Sequence, residues 1–187
     1  MNGPDLRIRD AYPDERPAIR HLTLAAYEEY AAVMEPSAWT GLREAVVSAL
    51  ESEQPADRIV AERGGLLVGS VMLFPAARGE PGGKVPGPSW PELRVLAVPP
   101  EERGSGIGRA LVDECVRRAR GRGAAELGLY TSQSLAPAIR MYEAMGFIRA
   151  PAHDFRPAGA ELVTAYRLPL ASGPRGEDAD VSGTNPA

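Results

Sequence analysis

The sequence predicts an α/β fold with a twisted central sheet of mixed strand direction, flanked by helices. Three observations predict it. Short apolar or alternating runs that read as strands are interleaved with stretches of helical periodicity. A Gly64-Gly65 pair joins two of these runs into an antiparallel hairpin, which a plain series of βαβ units would lack. Finally, Glu92–Arg109, E-L-R-V-L-A-V-P-P-E-E-R-G-S-G-I-G-R, passes from an apolar strand through a glycine-rich turn directly into a helix. Such a unit has the outline of an anion site, because glycines let the backbone come close and the first helical N–H groups have no internal partner.

The elements follow in order. Leu6–Arg9, L-R-I-R, alternates and reads as a short half-buried strand. Asp10 to Pro17 is a turn leading into a helix, with Pro17 in the first turn, where its missing N–H costs nothing. Ile19, Leu22, Leu24, Ala26, Tyr27 and Tyr30 give a helical face that ends near Val33. Met34-Glu35-Pro36 interrupts it. A second helix runs from Trp39 to about Ser52, with Ser37 as its expected cap. Arg58–Glu62 and Leu66–Phe74 form the hairpin. Pro75 to Ser89 is rich in Pro and Gly and reads as a loop, either an exposed connector or a wall beside a substrate.

The central strand, Leu93–Val98, leads to a helix over Ala110–Arg120 with Leu111, Val112, Cys115, Val116 and Ala119 on its buried face. Arg117, Arg118, Arg120 and Arg122 read as a solvated cluster at its C-terminal end. Glu126–Tyr130 is a further strand and Thr131–Ser134 a polar loop. Ala136–Met145 is a helix stopped by Gly146. Phe147-Ile148 starts another strand, and Glu161–Leu168 is the last. Residues 171–187 hold one branched apolar side chain, a composition that predicts disorder. The domain is therefore expected to be 1–170, followed by a tail.

Composition narrows the function. With 187 residues, 44% of them hydrophobic, the chain is long enough for one domain with an ordinary core. A net charge of −4 gives no argument for nucleic acid. The single cysteine excludes an internal disulfide, and its place on an apolar helix face reads as core rather than nucleophile. His21 and His153 lie far apart in sequence, so no metal site is expected. No apolar run reaches a membrane-spanning length and the N-terminus lacks a signal-like apolar core, so a cytoplasmic protein without membrane contact is expected.

The glycine turn fits neither common nucleotide motif. G-S-G-I-G departs from G-x-G-x-x-G because its third glycine comes too early, and no G-K-S/T follows as in a Walker loop. On the residues alone it is either an anion-binding turn or a glycine-rich helix start without a ligand. Arg103 and Arg109 place positive charge on either side of it.

Beyond that, V-L-A-V-P-P-E-E-R-G-S-G-I-G-R-A-L-V resembles the acetyl-CoA binding motif of the GCN5-related N-acetyltransferases (GNAT family). That pattern is Arg or Gln, two residues, Gly, one residue, then Gly or Ala. Arg103, Gly106 and Gly108 match it. A second motif, A-P-A-I-R-M-Y-E-A-M-G-F at Ala136–Phe147, resembles the family's later helix. The resemblance is strongest over Glu92–Phe147 and extends over about residues 5–169.

The resemblance implies a GNAT acyl-CoA N-acyltransferase fold with a splayed parallel pair formed by the central strand and Glu126–Tyr130, and acetyl-CoA as cosubstrate. It implies a pyrophosphate held by the backbone of Arg103, Gly104, Ser105, Gly106, Ile107, Gly108 and Arg109. Leu96 and Val98 would contact pantetheine, and the amide near Leu96 or Ala97 would polarise the thioester carbonyl. Where the family often has Asn, this chain has Leu135, so that contact is lost or passes to Ser132 or Ser134. Tyr142 matches the tyrosine that faces the coenzyme sulfur and is the candidate general acid, with a core aromatic as the alternative. Glu92 is the candidate general base, with a solvent-facing glutamate as the alternative; Glu29 and Glu35 are weaker candidates.

The implied reaction is direct acetyl transfer to a primary amine of a small-molecule or peptide acceptor. The competing reading is a non-catalytic acyl-CoA binding or sensing protein. Tyr27, Tyr30, Trp39, Trp90 and Phe155 are candidate acceptor-pocket residues, and the chain is expected to be a monomer or homodimer.

Overall fold

The computed structural model describes residues 5–76, 90–157 and 161–170. The expected loop at 77–89, part of the loop after His153 and the tail at 171–187 lie outside the described residues. The elements come in the expected order: β1 (Arg7–Asp10), α1 (Arg16–Tyr27), α2 (Pro36–Glu51), β2 (Asp57–Arg63), β3 (Leu66–Phe74), β4 (Glu92–Ala97), α3 (Ile107–Gly121), β5 (Glu126–Ser132), α4 (Ala136–Ala144), β6 (Ile148–Arg149) and β7 (Val163–Pro169).

The strands form one seven-stranded sheet in the order β1-β2-β3-β4-β5-β7-β6. Neighbours are antiparallel except β4 and β5, which are parallel. The β2–β3 hairpin turns on Gly64 and Gly65, both at positive φ, as a two-residue hairpin turn demands.

The two sheet faces carry different helices. On one face Leu73, Leu93, Leu127 and Leu129 pack with Leu111, Val112 and Cys115 of α3 and with Tyr142 of α4 in one buried cluster. On the other face Leu22 and Ala26 of α1 pack on Ala97. There the buried hydroxyls of Thr23 and Ser70 lie 3.0 Å apart. Strand side chains alternate between faces, so one strand serves both layers.

Several expected boundaries shift. The first helix ends at Tyr27, and Glu28–Ala32 tightens into a 3₁₀ turn rather than continuing to Val33. The second helix starts at Pro36, not Trp39. Proline's fixed φ and absent N–H suit that first position, and Ser37 lies inside the helix instead of capping it. β5 runs two residues further than expected, taking Thr131 and Ser132 into the sheet.

At the end of α3, Arg117, Arg120 and Arg122 are exposed as expected, but Arg118 is not. Arg118 is only 13% exposed and bridges Asp10 at 2.6 Å, Glu114 at 2.7 Å and Asp57 at 3.2 Å, while Arg122 pairs with Asp57. Hydrogen bonding from Arg117 and Arg118 holds the Glu114 carboxyl down at about 2. These pairs tie α3 to β1 and β2.

Trp90, which precedes β4, lies flat against β5. A Cβ on Gly128 would stand 1.9 Å from the indole nitrogen. The His153 ring meets the Trp90 ring edge-on, with centroids 4.4 Å apart. Trp90 thus fixes the start of β4 against β5. Gly128→Ala is expected to lower stability by about 2–3 kcal/mol through overpacking, seen as a fall in Tm of roughly 5–10 °C; an unchanged Tm would mean that Trp90 moves aside freely.

Candidate active site

The site is a cleft made by one irregular strand. β4 and β5 pair only at Glu92↔Gly128 and Leu93↔Leu129, helped by the Gly128 N–H donating to the Pro91 carbonyl at 2.9 Å. Beyond Leu93 the two strands part. The cause lies in β4. Val95 has φ 52°, a left-handed conformation that costs a β-branched residue about 1–2 kcal/mol. Between Met72↔Arg94 and Ser70↔Ala97, β4 uses one more residue than β3, so it bulges. A bulge inserts an unpaired residue and reverses the alternation that follows. Leu96 and Val98 accordingly pack with the α3 layer, and Ala97 faces α1.

Side chains from outside the strand hold this shape. The Tyr27 hydroxyl donates to the Leu96 carbonyl at 3.2 Å. Arg103 donates from Nε to the Val98 carbonyl at 3.0 Å and from Nη2 to the Ala26 carbonyl at 3.2 Å, and it pairs with Glu29. The end of α1 is thereby stitched to the far end of β4.

The turn follows. Gly104 and Gly106 have φ of 74° and 83°, and Gly106 caps α3 without any side-chain hydrogen bond. The first helical bond is Ala110 N–H to the Gly106 carbonyl at 2.9 Å. The N–H groups of Ile107, Gly108 and Arg109 therefore precede the helical ladder, free to bind an anion at the positive end of the helix dipole. One expectation is corrected here. Arg103 spends its guanidinium on protein carbonyls and Glu29, so it braces the turn rather than adding charge beside an anion. Arg109 stays exposed, 3.7 Å from Asp113.

Cleft and turn open into one cavity of about 1000 Å³. Glu92, Leu96, Ala97, Val98, Arg103, Gly104, Gly106, Ile107, Gly108, Arg109 and Tyr142 all line it. Ser105 and Ser134 are not among its walls. Ser105 donates to the Glu102 carbonyl at 2.6 Å, and Ser134 donates to the Glu161 carboxylate at 2.8 Å. Ser134 is thus corrected as the replacement for the missing Asn. Ser132 faces the cavity instead, with a buried hydroxyl that has no partner among the described residues.

Glu92 is buried, its side chain 8% exposed, and accepts from Arg94 Nη2 at 2.6 Å. It is not the solvent-facing glutamate of the alternative reading. Arg94, which the sequence did not single out, in turn lies 4.5 Å over the Phe74 ring. Tyr142 is buried, and desolvation pushes its phenol well above the usual 10, with Tyr27 adding to the effect. Tyr142 therefore holds its proton across the physiological range. Burial also pushes the Cys115 thiol up to about 12, in keeping with a core residue.

Of the aromatic candidates, Tyr27, Tyr30 and Phe155 line the cavity, whereas Trp39 and Trp90 do not. Glu29 is engaged with Arg103 and, like Glu35, is not a lining residue. The acceptor candidates read from this part of the sequence stopped at Trp39, whereas the α2 face with Gly41, Leu42, Ala45 and Val46 also lines the cavity. Among the described residues no cluster of metal-ligating side chains occurs, and no helix is long and apolar enough to cross a membrane.

A strand that parts from its parallel neighbour above a glycine-turn helix start defines an acyl-CoA-type transferase fold. The sequence profile of the Acetyltransferase (GNAT) family matches residues 16–147, and the chain belongs to that family. It is 40% identical over 95 residues to a mycothiol acetyltransferase of Thermobispora bispora, covering 51% of this chain and 31% of that protein. It is 41% identical over 90 residues to the probable N-acetyltransferase family 8 member 5 of Mus musculus, covering 48% and 37%. The matches thus span about a third of the length of these curated relatives.

Among solved structures, a GNAT-family acetyltransferase from Desulfovibrio desulfuricans superposes with a TM-score of 0.62 at 23% identity, covering 89% of this chain and all of that one. A Brucella melitensis GNAT acetyltransferase in complex with acetyl-CoA gives 0.56 at 23%, covering 89% and 88%. Both establish the fold.

Gly106→Ala tests the turn. The left-handed φ makes a side chain cost about 1–2 kcal/mol there. Affinity for coenzyme A, titrated calorimetrically, is expected to fall roughly tenfold if that strain is relieved by moving the turn. Unchanged affinity would separate the turn from the coenzyme.

Proposed function

We propose that the chain is an N-acetyltransferase that moves an acetyl group from acetyl-CoA directly to the primary amine of a small-molecule or peptide acceptor. The observation that carries this reading is convergence. The parted edge of β4, the uncapped start of α3, the buried carboxylate of Glu92 and the protonated phenol of Tyr142 all face one cavity.

In this reading the backbone N–H groups from Gly104 to Arg109 hold the pyrophosphate, and the free edge at Leu96 and Val98 receives the pantetheine arm. Acetyl-CoA supplies the activated acetyl group. A backbone amide near Leu96 or Ala97 stabilises the charge that develops on the carbonyl oxygen. An ammonium has no free lone pair, so Glu92 accepts a proton from the acceptor. A C–N bond then forms as the C–S bond breaks. Tyr142 gives its proton to the departing thiolate. Cys115 takes no part, being sealed in the core beneath α3.

The test is release of free thiol from acetyl-CoA in the presence of a broad panel of amines. Glu92→Gln and Tyr142→Phe are each expected to lower kcat by about 10²–10⁴, while coenzyme A binding stays within a few-fold. Tight coenzyme binding with no turnover of any amine would replace this reading with a binding or sensing protein.

The pH profile gives a second check. Because burial raises the Tyr142 phenol above 10, the acid form persists as pH rises. No descending limb that belongs to Tyr142 is expected below about pH 10. A descending limb near neutral pH assigned to Tyr142 would contradict its role.

A further inference from the structure

One wall of the cavity holds a residue that the fold itself does not require. Gly41 lies inside α2, where a glycine is less favourable than alanine by roughly 0.5–1 kcal/mol. A fold keeps a helical glycine when another element packs close or when φ is positive. Neither applies. Among the described residues a Cβ at Gly41 would meet nothing within 4 Å, and Gly41 is not among the positive-φ glycines. The space in front of it is the cavity. Ala38 and Ala45, one turn to either side, line the same space, as do Leu42 and Val46. The result is an apolar wall in which Ala38, Gly41 and Ala45 alternate with Leu42 and Val46.

Another part of the lining is aromatic. Tyr130 and Phe155 meet edge-to-face at 5.5 Å, and both line the cavity. Ser132 shares the strand face of Tyr130, two residues on. It is 8% exposed and its hydroxyl has no partner among the described residues. A buried hydroxyl left so costs about 1–3 kcal/mol, and it points to a polar group on a ligand.

Charge on this side is sparse. Glu92, Glu102 and Glu161 are the carboxylates among the described lining residues, and all are engaged, by Arg94, Arg63 and Ser134 respectively. One cationic nitrogen at Glu92 is accommodated. A second positive charge would meet Arg94, and a carboxylate beside the amine would meet Glu92.

We propose that this groove takes the body of the acceptor, that the acceptor is a monoamine carried on a bulky apolar group, and that Gly41 sets the largest body that fits. The proposal rests on the transferase reading and deepens it.

The experiment compares the wild type with Gly41→Ala and Gly41→Leu, both of which place atoms in open space and improve helix propensity. Acetyl transfer is measured with 2-phenylethylamine, ethylamine, spermidine and phenylalanine. In parallel, 2-phenylethylamine is titrated calorimetrically into protein saturated with coenzyme A. In the wild type, kcat/KM for 2-phenylethylamine is expected to exceed that for ethylamine by at least about tenfold. Gly41→Leu is expected to abolish that advantage and the calorimetric signal, leaving ethylamine turnover and coenzyme A affinity within about twofold, with Gly41→Ala in between.

Equal effects on both amines, no effect on either, no binding of 2-phenylethylamine to the wild type, or faster turnover of spermidine or phenylalanine would overturn the groove assignment. Binding of 2-phenylethylamine that Gly41→Leu removes, with no amine turned over, would keep the groove and sink the transferase reading. Turnover that is indifferent to Gly41 would do the reverse.

Discussion

The structure depends on a single unfavourable backbone conformation at Val95. A valine at φ 52° persists only where its surroundings fix it. Here the ladder to β3 resumes beyond it at Ala97, the Tyr27 hydroxyl holds the Leu96 carbonyl, and Arg103 holds that of Val98. These contacts do what β5 would do for an ordinary inner strand. They secure part of the edge that parting exposes, so the cleft is a built feature rather than a frayed end.

The bulge also separates the two sides of the chemistry. Before it, Leu93 belongs to the α3 layer while Glu92 and Arg94 face the other way. After it, Leu96 and Val98 belong to the α3 layer and Ala97 turns to α1. Without the extra residue, the apolar set after Val95 would exchange faces with the residues meant for α1. The same irregularity thus opens the sheet, keeps both layers packed and leaves a passage between them. A coenzyme anchored at the start of α3 and an acceptor lying along α2 would meet in that passage from opposite faces.

Much of this was legible in the sequence, for identifiable reasons. The element order came from periodicity and from Gly64-Gly65, Gly104 and Gly106, whose backbone roles leave a strong local signal. Glu92, Tyr142 and the turn could be placed because two motifs stood at a fixed separation. What escaped was tertiary. Nothing local tells that Arg103 reaches back to Ala26 and Glu29, or that Arg118 is drawn out of solvent by Asp10, Asp57 and Glu114. Ser134 and Ser132 were indistinguishable until β5 proved two residues longer, which placed Ser132 in the sheet and freed Ser134 to pair with Glu161. Trp90 looked like a pocket residue because an aromatic side chain before a functional strand is ambiguous. Only the bare backbone of Gly128 shows that it is a packing piece.

Arg103 also joins two jobs that the sequence suggested were separate. Its backbone begins the anion turn, while its guanidinium reaches the end of α1 and Glu29 in the following 3₁₀ turn. Any shift of the turn on accepting an anion must therefore pull on the segment that carries Tyr27 and Tyr30, both cavity-lining. Lysine could not replace this arrangement, because a point charge lacks the planar fork that bonds the Val98 carbonyl through one nitrogen, the Ala26 carbonyl through another and Glu29 through the third. The motif arginine is in that sense a mechanical link between the glycine turn and the cavity wall that carries Tyr27 and Tyr30, while the exposed Arg109 reaches only toward Asp113.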